Sequence, residues 1–500
     1  MDAELNTKYD TKDLKMEKMP VEKQEETDKL VKAIGQFGKW QLMLWLLIAS
    51  PIKISSAWQQ LGIVFIAPAT SFMCEETNLT NIIEMNTCYS DCVSYNYYTD
   101  FENTIISQFE LICEKAWLSN FTQTICMFGV LMGSIIFGFI ADRYGRRPAL
   151  LISCMLLLVT SVGEAFCKVY WLFTAVRFFI GLATAGTMLC SFILMMEIIG
   201  PMKRELMNCL CALPMPVGQM LMPLFAYFLR SWNNFCLGVG IPHVLYLAYF
   251  FILPESPKWL ISVGRLEEAS KVMTQAAKWN NLPTDNMLDI AKSIASEKVN
   301  STEPLRKATY LDLLKTKVLR INIFGSCMIW FVLGISYYGS NQYIGQTSSN
   351  VFISVLLAGV LQIPGILLSG FFCRYFGRKI TMISFLIVCG GSNAFLVVPE
   401  DWFAVRLTMG AIGVGCASGA FATMYMYTTE MFPTVARNMA MGASSTVSRV
   451  GSMLAPYVAG MTIIAAWLPP VAFAIVPIVG AITCYFLPET RGKTLSDHLS

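Results

Sequence analysis

At 500 residues a soluble chain would form about three domains, but its composition excludes that. Only 14% of the residues are charged and 55% are hydrophobic, with a mean hydropathy of +0.53, against about 25% charged in ordinary globular proteins. The net charge of +3 is too small to suggest a nucleic-acid or other charged macromolecular partner. Residues 1–39 hold 17 charges, 74–115 hold 9 and 255–320 hold 19, and the remaining 26 are spread over the rest of the chain. Between these polar segments lie apolar runs long enough to cross a bilayer core of about 30 Å. The reading is an all-α membrane protein with the lipid bilayer as its solvent.

In chain order, residues 1–40 read as a solvated cytoplasmic tail. They lack the early apolar core of a secretory signal, so the first span is expected to act as an uncleaved anchor. Twelve apolar segments follow, at about 42–67, 118–140, 149–167, 171–197, 206–229, 235–253, 320–339, 350–371, 380–398, 402–427, 440–465 and 470–487. They make two six-helix bundles, 41–254 and 319–487. A hydrophilic linker at 255–318 separates them, with short surface helices expected where Leu266, Ala269, Val272, Met273 and Ala276 recur at helical spacing. A tail at 488–500 closes the chain. Lys and Arg concentrate in the tails, the linker and the even-to-odd connections, whereas the long loop at 68–117 has eight acids and one Lys. The positive-inside rule therefore places that loop outside and both termini in the cytoplasm.

Loop 68–117 carries Cys74, Cys88, Cys92 and Cys113, which read as two disulfides with three pairings open. It also carries Asn78 in a usable glycosylation sequon. A second sequon at Asn120 sits too close to a span, and a third at Asn300 falls on the cytoplasmic side. The other twelve cysteines read as packing residues.

The chain repeats itself. Gly138-Phe-Ile-Ala-Asp142-Arg143-Tyr-Gly145-Arg146-Arg147 recurs as Gly370-Phe-Phe-Cys-Arg374-Tyr-Phe-Gly377-Arg378-Lys379. Ala175-Val176-Arg177 recurs at Ala404-Val405-Arg406. Glu197 with Arg204 recurs as Glu430 with Arg437, and Pro254-Glu255-Ser256 recurs as Pro488-Glu489-Thr490. The four offsets are 232, 229, 233 and 234 residues, so the bundles are two copies of one unit.

These loops, together with Pro-Glu-Ser-Pro-Lys-Trp-Leu at 254–260, resemble the major facilitator superfamily. The cysteine-bearing first loop, Tyr-Thr-Thr-Glu-Met-Phe-Pro-Thr at 427–434 and Pro-Glu-Thr-Arg-Gly at 488–492 resemble its organic ion (cation, anion and carnitine) transporter family. The resemblance implies plasma-membrane alternating access about a central site. Asp142, Arg143, Arg146, Glu197, Arg204, Arg378, Glu430 and Arg437 would then form a cytoplasmic gate of breakable ion pairs. Membrane-flank anchoring by snorkelling Arg and Lys is the plainer account of these charges. Because Arg374 replaces the carboxylate of Asp142, the second loop should latch more weakly or through other partners.

Ionisable residues within spans are the natural transport-site candidates. Lys53 lies mid-span with Ser50, Ser56 and Gln60 on its face, and Arg449 lies mid-span with Ser445 and Ser452 on its face. The resemblance adds that an Arg at the position of Arg449 marks the anion and carnitine-type branches, where the cation branch has Asp. It also makes Tyr337, Tyr338 and Phe421 substrate contacts, with Tyr337 and Tyr338 at the outer end of span 7. The expected partner is a small organic ion, an anion or a zwitterion such as carnitine or β-alanine. Two alternatives stay open. One is a cation carrier recognising its substrate through Glu164 or the aromatics, and the other is a non-transporting receptor or scaffold. A facilitator or exchanger is simpler than proton symport, though sodium coupling occurs in the carnitine-type branch. Gly492-Lys493-Thr494 lacks the first Gly of a phosphate loop, and His243 and His498 stand in no ligand motif. No enzyme, cofactor or metal is expected.

Overall fold

The computed structural model describes residues 29–75, 84–90, 92–200, 203–300, 313–347, 350–433 and 436–491; Asn78 lies outside them. Among the described residues, ten helices are long and apolar enough to span a membrane. They run from Trp117–Tyr144 (span 2) to Leu468–Tyr485 (span 12). The other two predicted spans are helical but more polar. Span 1 runs through Lys39–Leu44, Trp45–Ala49, Ser50–Leu61 and Ile63–Ile66. Span 11 is Arg437–Gly460. These two carry Lys53 and Arg449.

Span 1 widens to a π turn at Trp45–Ala49. Pro51 follows at once, and its ring would clash with the carbonyl four residues back in a regular helix. The widened turn sits one helical turn before Lys53.

Within each bundle, glycines let helices touch backbone to backbone. A side chain on Gly415 of span 10 (Phe403–Met431) would meet the Leu361 carbonyl of span 8 (Val351–Phe376) at 2.6 Å. The bundles meet along spans 2 and 11 and along span 8 and span 5 (Arg204–Ala212 and Pro214–Phe228). Large side chains such as Phe139, Val159, Phe251, Ile464 and Tyr485 cover the outside, as a lipid-facing belt requires.

Loop 68–117 is built on two antiparallel strands, β1 (Ser71–Cys74) and β2 (Tyr95–Tyr98). Its disulfides pair Cys74 with Cys92 and Cys88 with Cys113, one of the three pairings open in the sequence. Asn120 packs against Gly460 and accepts from Gln342 Nε2 at 3.5 Å, between bundles rather than on a glycan-accessible loop.

Two sequence expectations change. Residues 29–40 are not a solvated tail: Leu30, Ala33, Ile34 and Trp40 are buried in one cluster with Met273, Ala276, Ala277 and Ile294 of the linker helices. Asn280 accepts from Trp40 N at 3.0 Å and donates to Ile34 O at 2.7 Å. Leu30, Ala33 and Ile34 are few but share one helical face, which an average over 39 residues conceals. Span 7 also does not end near residue 339, because its helix is Lys317–Thr347.

In the N-terminal bundle, Glu164 and Arg177 form an ion pair at 3.4 Å, with side chains only 2% and 1% exposed. Removing one partner strands a charge in an apolar interior. Glu164→Gln or Arg177→Met alone should each cost about 3–5 kcal/mol. The double variant should recover much of that loss, read as thermal melting of purified protein. Additive losses would contradict the pairing.

Candidate functional site

The central site is built from span 1, span 7, span 10 and span 11. Lys53 and Arg449 are both half-buried, on opposite bundles, and within Coulomb range of one another. Among the described residues neither forms an ion pair. Arg449 Nη1 donates to Tyr338 Oη at 3.2 Å, and Tyr338 Oη donates to Gln60 Oε1 at 2.6 Å. One phenol thus connects the Arg449 side chain to span 1 across the bundle interface.

The neighbouring tyrosine starts a second crossing. Tyr337 Oη donates to Gln362 Oε1 at 3.0 Å, Gln362 Nε2 to Gln219 Oε1 at 2.7 Å, and Gln219 Nε2 to Asn341 Oδ1 at 2.8 Å. Gln219 belongs to the N-terminal bundle and the other three to the C-terminal bundle. Between the two chains lies a cavity of about 10 Å³, lined in part by Gln60, Gln123, Gln219, Tyr338, Asn341 and Ser452. It has a mixed polar and apolar lining and is about the size of one water. Span 7 stays helical through Ser340, Asn341 and Gln342 because partners in other helices satisfy these polar groups.

The aromatic wall is larger than the sequence suggested. Tyr337 packs edge-on against Tyr338 at 5.1 Å and against Phe421 at 5.7 Å. Phe421 meets Trp330 at 5.6 Å, and Trp330 meets Tyr425 at 4.7 Å. Tyr425 also lies within Coulomb range of Arg449. Trp330, Tyr425, Gln219 and Gln362 escaped sequence reasoning. An aromatic or a glutamine in a span gives no signal until its neighbours are known. Glu164 is not part of this wall, since Arg177 holds it inside the N-terminal bundle.

Nearer the disulfide-bonded loop the bundles close on each other. Phe65 stacks on Phe352 at 5.9 Å, and Phe101 packs on Phe352 at 5.7 Å. Thr124 Oγ1 donates to Met453 O at 2.9 Å between spans 2 and 11.

At the opposite end, ion pairs of the repeated charges join helices within one bundle. Arg146 Nη2 reaches Glu197 at 2.8 Å, and its Nη1 reaches Asp142 at 3.3 Å. Arg378 Nη2 reaches Glu430 at 2.7 Å. Thr490 Oγ1 donates to Glu430 Oε2 at 2.6 Å and is the extra partner of the loop that lacks an Asp142 equivalent. Arg143 is not drawn into this cluster; it lies over the rings of Phe139 and Tyr144. Arg204 and Arg437 open the helices of spans 5 and 11.

The Pro-Glu-Ser and Pro-Glu-Thr repeats acquire a role here. Glu255 accepts from the backbone N–H groups of Arg146 and Arg147 at 3.0 and 3.1 Å. Glu489 accepts from those of Arg378 and Lys379 at 3.0 and 3.1 Å. Each carboxylate caps the first turn of the third helix of its bundle, where unpaired N–H groups and the helix dipole favour an anion. Burial raises the Glu255 carboxyl above its ordinary range, against the pull of these N–H groups and Arg146. Gly145 and Gly377 precede the capped turns at φ +111° and +91°. A side chain on Gly377 would stand 2.8 Å from Glu489 Oε2.

Two helical bundles closing over a polar, aromatic-lined centre define a membrane carrier. A family model described as sugar (and other) transporter matches residues 63–498. The human organic cation/carnitine transporter 2 is 31% identical over 397 residues, 79% of this chain and 71% of that protein. Organic anion transporter 3 of Pongo abelii is 29% identical over 415 residues, 81% of this chain and 75% of that one. In fold, the chain is similar to the inward open conformation of the xylose transporter XylE from E. coli, with a TM-score of 0.67 at 17% identity over 91% of this chain and 98% of that one. The chain belongs to the organic ion transporter family of the major facilitator superfamily and is a transporter, not an enzyme.

Proposed function

We propose that the protein carries small organic ions bearing a carboxylate, anions or zwitterions of the carnitine or β-alanine kind, across the plasma membrane by alternating access. One observation carries this reading: Lys53 and Arg449 approach each other from opposite bundles without an ion-pair partner among the described residues. Two like charges in a half-buried cleft repel, and an incoming carboxylate relieves that repulsion while gaining charge-assisted hydrogen bonds. The aromatic wall offers faces to the organic part of the substrate or to an ammonium group.

Lys and Arg in the connections support an orientation with both termini cytoplasmic and the disulfide-bonded loop outside. The interface is then closed outward. In the opposite state the cytoplasmic loops come together, and Asp142, 76% exposed here, is the carboxylate best placed to reach the other bundle.

The test is an uptake panel in expressing cells with carnitine, β-alanine, p-aminohippurate and tetraethylammonium. At least one carboxylate should enter faster than in control cells, and tetraethylammonium should not. Equal carboxylate fluxes with and without the protein would overturn the proposal.

A further inference from the structure

We infer that the disulfide-bonded loop holds a second, outer binding site, which takes substituted ammonium groups. An open recess of about 500 Å³ lies where this loop meets both bundles. That volume is within the range of small-molecule sites. Tyr97, Tyr98, Asp100 and Phe101 line it from the loop, Pro68 from the end of span 1, and Gln346 from span 7. It adjoins the outward closure, because Phe101 of its wall packs on Phe352 at 5.7 Å and on Phe65 at 6.3 Å.

The wall is held in place. The two tyrosines end β2, which pairs with β1, and the disulfides Cys74–Cys92 and Cys88–Cys113 tie the strands to the rest of the loop. Arg230 Nη1 donates to Asp100 O at 3.2 Å, and Glu102 N donates to Arg230 O at 3.2 Å. The Arg230 guanidinium lies over Tyr227 and Phe352, at 4.7 and 5.0 Å. Its hydrogen bonds go to the main-chain carbonyls of Asp100 and Tyr227. The Asp100 carboxylate forms no ion pair among the described residues.

Aromatic residues and a carboxylate without an ion pair among the described residues, lining one recess, match a cation with an apolar skin, as a methylated ammonium has. The acid-rich loop adds long-range attraction for such a cation. Entrance and centre then have opposite sign, Asp100 outside and Arg449 with Lys53 inside. That arrangement suits a zwitterion, captured first by its ammonium group and then held by its carboxylate. This zwitterion assignment, and the outward placement of the recess, rest on the carrier reading above.

Thr99 lines the same recess and provides a reporter. In the full chain carrying Thr99→Cys at the surface of intact cells, a membrane-impermeant maleimide should label the new thiol. Tetramethylammonium, which has no carboxylate for Arg449, should slow labelling about threefold or more near saturation, and p-aminohippurate should not. Adding Tyr98→Ala or Asp100→Asn should remove the protection. In the otherwise unchanged chain, each of these two substitutions should raise KM for carnitine about fivefold with kcat retained. Labelling indifferent to tetramethylammonium, or protection that survives both substitutions, overturns the site. Labelling only after permeabilisation overturns it together with the orientation. Labelling does not depend on transport, so the outer site can fail while Arg449-dependent uptake stands, and the reverse.

Discussion

Arg449→Ala is expected to lower kcat/KM for a carboxylate substrate by about 100-fold or more, the cost of removing one partner from a desolvated, hydrogen-bonded charge pair. In the unliganded protein Arg449 hydrogen-bonds to Tyr338 and repels Lys53, so truncation leaves no buried carboxylate stranded. The melting temperature should therefore hardly move. Arg449→Lys keeps the charge but loses the planar two-donor fork, and about a tenfold loss is expected. Uptake kinetics of the three proteins at matched surface expression give the comparison. Carboxylate uptake unchanged in Arg449→Ala would remove the basis for carboxylate recognition.

Lys53 sharpens that expectation. If both cations share one carboxylate, Lys53→Ala should weaken uptake, and adding it to Arg449→Ala should cost less than the sum of the single losses. A cation carrier would respond the other way, since removing either positive charge would favour its substrate.

Much of this was legible in the sequence because membrane solvent leaves few options. Apolar runs of fixed length, a duplicated set of loops and two mid-span cations follow from composition and order alone. Residues 29–40 and the far end of span 7 were misjudged for a shared reason. Leu30 and Ile34, and likewise Asn341 and Gln342, take their structure from partners far away in the chain, and local hydropathy does not register those partners. The loop ion pairs join residues that the internal repeat singles out. Arg146 with Glu197 and Arg378 with Glu430 brace helices inside a bundle, and the hydrogen bonds that cross between bundles come instead from uncharged side chains such as Gln60 and Gln219. Glutamine has no distinctive spacing, so its role at the interface emerges only when both bundles are in place.

Tyr338→Phe should uncouple reorientation from substrate. With the bundles closed at the disulfide-bonded end, Tyr338 accepts from Arg449 and donates to Gln60 of the other bundle. A cation donating to the phenol oxygen polarises its O–H and strengthens the second bond. A substrate carboxylate at Arg449 competes for the same guanidinium, weakens the Tyr338–Gln60 bond and eases outward opening. The loaded carrier should then turn over faster than the empty one, so uptake into substrate-filled proteoliposomes should exceed uptake into empty ones. Phenylalanine keeps the ring packing on Tyr337 but loses both hydrogen bonds, one to a charged group. Only the bond to Gln60 crosses between bundles, and at about 0.5–1.5 kcal/mol for a neutral bond the empty carrier's outward-open population should rise about two- to tenfold. The ratio of filled-vesicle to empty-vesicle uptake should fall towards one. Gln60→Ala should do the same while leaving Arg449 and Tyr338 in place. A ratio unchanged in both variants would mean that the Gln60–Tyr338–Arg449 chain does not couple the substrate to the gate.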